Sequence, residues 1–185
     1  ITPQQFDEYL EDIQKAESSL KEQLTFFEIT FLAACLCASR NNIDVFIVET
    51  GLGGRYDATR ILPADVSVIT SLSLEHRDVL GDTLAKIAAE KAAISRPNKP
   101  LIVRSVEDTD AKAAIEYEAK HAGRIELGET QGEASVQWIS IPEAATFQAE
   151  AMLLAKATLQ SLNIEIEGLT SSQKSLNWPG RFHEI

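Results

Sequence analysis

Stretches of helix-like and strand-like apolar spacing alternate along these 185 residues. Thr2 can cap a helix and Pro3 suits its first turn, so the acidic segment from there to about Leu20 reads as an exposed helix. Phe26 to about Arg40 reads as a second helix, apolar all round up to Ala38, which predicts burial on most sides. Val45 to Val48 is a short, continuous apolar run rich in β-branched residues, the pattern of a strand covered on both faces in a parallel sheet. Asp65 to Thr70 repeats that pattern. Thr83 to about Ser95 follows as a helix, with Leu84, Ile87, Ala88, Lys91 and Ile94 on one stripe. Pro100 to Arg104 is the next strand, and Glu107 to His121 a charged surface helix. Arg124 to Leu127 and Val136 to Ser140 read as short strands around a turn at Gly128 to Gly132. Phe147 to Leu162 is an amphipathic helix, and a polar stretch, Gly168 to Asn177, leads to the stiff turn Trp178-Pro179-Gly180-Arg181. Strands alternating with helices predict one α/β domain, a mainly parallel sheet flanked by helices, without internal repeats.

Charge narrows the function classes. Seventeen Lys and Arg stand against 28 Asp and Glu, a formal charge of −11, with no basic patch. Nucleic-acid binding needs a positive footprint and is not expected. The longest apolar run, Ile29 to Ala38, is too short to span a bilayer, and no secretory signal is visible. Cys35 and Cys37 point in different directions on a helix and make neither a metal pair nor a staple. A reduced, cytoplasmic protein is the expectation, and a monomer is the default.

Four positions stand out against this background. Glu49 closes the Val45 run and is followed by Gly51, Gly53 and Gly54, then Arg55 and Asp57. Ligands collect at the carboxyl ends of strands in open α/β sheets, and glycines there let backbone N–H groups approach closely. The alternative is an ordinary exposed loop. His76 lies shortly beyond the Asp65 strand, as Glu49 does beyond its own; it is either structural or a ligand at the same rim. Lys91 sits on an apolar stripe, where it either snorkels or points into a site. Glu28 is the only charge between Phe26 and Ala38; it either serves a site or faces the helix N-terminus.

Together these residues resemble the central, ATP-binding domain of the Mur ligase superfamily, and within it the folylpolyglutamate synthase/dihydrofolate synthase branch. The resemblance is carried by Phe27-Glu28 through Phe31, by Glu49-x-Gly-Leu-Gly-Gly-Arg-x-Asp-Ala-Thr ending at Thr59, and by Ile69 to His76 with Leu80-Gly81. Ile87-Ala-x-Glu-Lys91-Ala-x-Ile94, Phe147-Gln148 and Trp178-Pro-Gly-Arg181 follow in the same order. The glycine motif with the Glu-Lys helix downstream is the specific combination.

The resemblance implies a P-loop NTPase-like central domain over residues 1–185, with the phosphate loop expected before Ile1 and a glutamate-binding domain after Ile185. It implies ATP and Mg2+ as cofactors. Glu49 and His76 would ligate metal. Lys91, carbamylated, would be a further metal ligand, and the same three residues would carry the catalysis. Arg181, Gln148, Gly51, Gly53 and Gly54 would contact the nucleotide; Glu28, Arg55 and Asp57 would face the substrate. The implied reaction joins L-glutamate to dihydropteroate or a folylpolyglutamate through an acyl phosphate, and this segment alone is expected to be inactive. Glu75, Arg60 and Thr50 replace the family's Asp, Asn and Val, and Phe147 and Ala151 stand where the family has His and the adenine-reading Asn. These substitutions keep open two alternatives: a degenerate, non-catalytic domain, or a superfamily ligase for another amino-acid substrate.

Overall fold

The computed structural model describes residues 1–123 and 128–165. Three parallel strands, β1 (Ser67–Ile69), β2 (Pro100–Arg104) and β3 (Ser135–Ile139), lie in chain order, with Ser67 beside Leu101 and Leu101 beside Val136. Parallel neighbours need a crossover, which α4 (Leu84–Ala92) supplies between β1 and β2 and α5 (Thr109–Lys120) between β2 and β3. Side chains alternate across the central strand. Leu101 and Val103 enter a core with Ala88 and Ala92 of α4 and Ala111, Ile115 and Ala119 of α5. Ile102 points to the other face, where Leu154 and Ala157 of α6 (Phe147–Ser161) cover it. Small residues on α4 and α5 let two helices share one face of a narrow sheet. This is the helix-covered parallel sheet that the run spacing predicts.

Two helices stand ahead of the sheet. α1 (Pro3–Glu17) and α2 (Phe26–Arg40) each begin with a capping box, Thr2 with Gln5 and Thr25 with Glu28. They pack through Tyr9, Ile13 and Ala33, with Leu32, Leu36 and Cys37 alongside. A 3₁₀ turn (Ala58–Ile61) and a one-turn helix, α3 (Arg77–Leu80), complete the described elements. None of the described helices is long and apolar enough to cross a membrane.

Two expectations about this half of the chain are corrected. Val45 to Val48 joins no ladder; Val45 is 64% and Ile47 89% exposed. The apolar pattern encodes a capacity to be covered, but the described sheet ends at β1 and no described strand pairs with the run. Its far end, Phe46 to Glu49, instead lines a shallow cavity with Phe27, Thr30, Phe31 and Ala34 of α2. Likewise α2 buries only Phe31 and Ala33 fully, and Phe26 is 83% exposed. Its composition permits burial all round, whereas the packing supplies α1 on one side and the glycine loop on another. The expected strand at Arg124 to Leu127 and the Trp178 to Arg181 turn lie outside the described residues.

Candidate active site

The glycine loop, residues 51–57, is wedged between α2 and α4. A methyl group at Gly51 would fall 2.7 Å from the Phe27 ring, and one at Gly54 2.7 Å from the Glu90 carbonyl oxygen and 2.9 Å from that of Lys91. Only glycine admits the loop this close to the end of α4. Gly53 has φ +67° and lies against Leu80 of α3. The loop therefore touches the helix that carries Glu28, the helix that carries Lys91 and the turn that follows His76.

Asp57 closes the loop on itself. Its Oδ2 accepts from the amides of Gly51 (2.8 Å) and Leu52 (2.9 Å), and its Oδ1 from the amide (3.0 Å) and hydroxyl (2.5 Å) of Thr59. Both oxygens of this buried carboxylate are thus committed, and Asp57 caps the 3₁₀ turn as well. Arg55 ties the loop to the body. It donates from Nε to Glu90 (2.7 Å) and from Nη2 to Glu118 (2.6 Å), while its amide reaches the Glu90 carbonyl oxygen at 3.1 Å. Burial works against its charge, but the Glu118 and Glu90 hydrogen bonds outweigh burial and hold the guanidinium's pKa above its ordinary value.

Glu28 turns out to be a helix cap. Its Oε2 accepts from the amide and hydroxyl of Thr25, both at 2.7 Å, and these bonds hold the carboxyl below the usual glutamate range. The cation or metal that a buried charge would need is not called for, because the residue sits in the first turn, near solvent. Glu28 nevertheless lines a cavity of about 440 Å3, with Phe27, Leu52, Tyr56, Asp57 and Glu90 in its wall. The hollow is open, and both aromatic and acidic residues line it.

Glu49 and His76 are exposed, and Lys91 is half-buried in the last turn of α4. Their side chains make no hydrogen bond or ion pair among the described residues. His76 holds a left-handed backbone, φ 50° and ψ 38°, with its carbonyl oxygen accepting from Val79 and Leu80 at 2.9 Å. A non-glycine residue kept there costs of order 1–3 kcal/mol, and such strain concentrates at functional positions. A carboxylate and an imidazole suit a divalent cation by their chemistry, whereas an ammonium does not unless its charge is removed. Among the described residues no group of three or more His, Cys, Asp and Glu could by itself hold a metal ion. Gln148 is exposed in the first turn of α6, and Arg181 lies outside the described residues.

The loop's foundation includes a buried ion pair that no local sequence pattern predicts. Arg60 is 2% exposed and bonds Glu129 through both terminal nitrogens, Nη1 and Nη2, at 2.7 Å; Arg96 lies beside it. The available signal was weak: an arginine three residues after Asp57, and a glutamate in a turn 69 positions on.

The middle-domain model of the Mur ligases matches residues 8–172. The dihydrofolate synthase/folylpolyglutamate synthase of Buchnera aphidicola subsp. Baizongia pistaciae is 31% identical over 177 residues, covering 88% of this chain and 41% of that protein. Among solved structures, E. coli FolC in complex with DHPP and ADP superposes with a TM-score of 0.79 at 27% identity, over 100% of this chain and 47% of that one. A bifunctional folylpolyglutamate synthase/dihydrofolate synthase with Mn, AMPPNP and L-glutamate bound gives 0.74 at 26%, over 100% and 47%. The chain therefore spans less than half the length of each. The helix-flanked parallel sheet agrees with the sequence match, and the chain belongs to the Mur ligase family, whose middle-domain model it matches.

Proposed function

We propose that this chain is part of an ATP-dependent ligase that forms an amide between L-glutamate and a dihydropteroate or folylpolyglutamate carboxylate. The observation that carries the reading is the glycine loop, clamped between α2 and α4 so that the segments bearing Glu49, His76 and Lys91 all border it. Similarity to proteins solved with DHPP and ADP, and with AMPPNP, Mn and L-glutamate, supports the choice of substrates. A carboxylate oxygen of the acyl substrate attacks the γ-phosphorus of ATP, and ADP leaves. The glutamate nitrogen then attacks the acyl carbon, inorganic phosphate leaves, and the nitrogen gives up a proton.

Each residue is assigned a role on these terms. Glu49 and His76 would hold Mg2+, which supplies positive charge to the phosphoryl oxygens. Lys91 would join them once carbamylated, a change that replaces an ammonium with a carboxylate. Free amides of the glycine loop would stabilise developing negative charge; those of Gly51 and Leu52 are already used by Asp57, which makes them part of the frame. The acidic and aromatic cavity between Phe27, Glu28 and Tyr56 would take the flat end of the acyl substrate. Gln148 and Arg181 would lie on the nucleotide side.

The full-length protein tests this directly. ADP release should require both the pteroate or folate substrate and L-glutamate, and Glu49→Gln should lower kcat by about 100-fold or more, as loss of a group serving the transition state does. ADP release independent of both substrates would overturn the proposal.

A further inference from the structure

Behind the glycine loop, two guanidinium groups share one carboxylate. Arg60 donates from Nε to the Ala93 carbonyl oxygen (2.9 Å) and from Nη2 to that of Ser95 (3.4 Å), besides its paired bonds to Glu129. Arg96 is also buried. Its Nη2 reaches the carbonyl oxygens of Arg60 and Leu62, both at 2.7 Å, its Nε reaches Leu62 at 3.2 Å, and its Nη1 bonds that of Ile94. Nε of Arg96 is 3.6 Å from Glu129. Burial, and then the neighbouring Arg60, pull the Arg96 pKa down to about 10 against the attraction of Glu129. The cluster stitches three separate segments together: the 3₁₀ turn, the end of α4 and the turn between α5 and β3.

We propose that Glu129 is a positioning residue for the glycine loop, acting through Arg60 and Asp57 on the backbone of Gly51 and Leu52. The linkage is continuous. Glu129 neutralises Arg60; the Arg60 amide donates to the Asp57 carbonyl oxygen at 2.9 Å; and the Asp57 carboxylate holds the two loop amides. With the carboxylate gone, two neighbouring buried cations lose the counter-charge they share, and the turn carrying Asp57 must shift to relieve them. The consequence of this brace for catalysis rests on the ligase reading above; its structural consequence does not.

Amide hydrogen exchange on full-length Glu129→Gln is the test. Protection of Gly51 and Leu52 should fall by about tenfold, the loss of roughly one hydrogen bond, while Ile87 and Ile115 in the main core keep theirs. Where the protein shows ligase activity, KM for the acyl substrate should rise severalfold, and Glu129→Asp should restore part of both effects. A folded Glu129→Gln protein with unchanged exchange at Gly51 and Leu52 would overturn the proposal. Should that variant not fold, native-state exchange on the unaltered protein decides. Gly51 and Leu52 should then open together with residues 58–62 and 129–132, and an independent opening overturns the idea. Absence of ligase activity in the unaltered protein would sink the ligase reading and leave the exchange result to judge the brace.

Discussion

Replacing Gly54 by alanine adds one methyl group at the tightest point of the candidate site. The added carbon would stand 2.7 Å from the Glu90 carbonyl oxygen, 2.7 Å from Cγ2 of Ile94 and 2.9 Å from the Lys91 carbonyl oxygen. Two of these atoms are backbone in the last turn of α4, so rotation of a side chain cannot make room. Overpacking of this kind costs about 1–3 kcal/mol. The loop's retreat also breaks the Arg55 amide bond to Glu90, worth about 1 kcal/mol more. A total of about 2–4 kcal/mol lowers Tm by roughly 5–15 °C in a domain of this size. Gly128→Ala is the control: φ is +75° but the new carbon meets nothing within 4 Å, so only left-handed strain of about 1–2 kcal/mol applies. Thermal unfolding of both variants separates crowding from strain. Equal Tm losses would refute the close approach of the loop to α4.

Other consequences follow from the same contacts. Asp57→Asn puts an amide nitrogen opposite backbone N–H donors and should cost about 2–4 kcal/mol, read from the denaturation midpoint. Thr25→Ala removes the cap of α2 and should cost about 1 kcal/mol, with loss of helical circular dichroism. Because hydrogen bonding by Thr25 holds the folded Glu28 pKa below its ordinary value of 4.5, its contribution is present above that pH. It is lost as pH falls through the lowered folded value, and Thr25→Ala, which removes the hydroxyl bond but keeps the larger effect of the Thr25 backbone amide, should make this acid limb only shallower. If Lys91 is carbamylated in the working enzyme, intact mass should show one added CO2 that disappears on acidification. Lys91→Arg should then lower kcat by about 100-fold or more.

How legible the molecule was in its sequence depended on the range of the interaction. Every described strand of the sheet was readable from local runs, because Pro100 to Arg104 must be covered on both faces wherever it lies. The same logic does not hold for Val45 to Val48, since an apolar run records what could cover it and not what does. α2 failed similarly: Phe26 and Ala34 are apolar yet exposed. Glu28 looked costly only while its helix was assumed buried; placed three residues after Thr25, its capping role was available as the alternative. The glycine loop stands out in the sequence as a candidate site, but its construction does not. Arg55 with Glu118 and Arg60 with Glu129 join positions 63 and 69 residues apart, and no local pattern encodes such a pairing.

For the proposed activation of a carboxylate by ATP and its capture by glutamate, the decisive measurement is isotope transfer in the full-length protein. With 18O in both oxygens of the acyl substrate's reacting carboxylate, attack on the γ-phosphorus should carry one labelled oxygen into inorganic phosphate for each amide formed. Phosphate released without label, or label appearing in AMP instead, would rule this chemistry out.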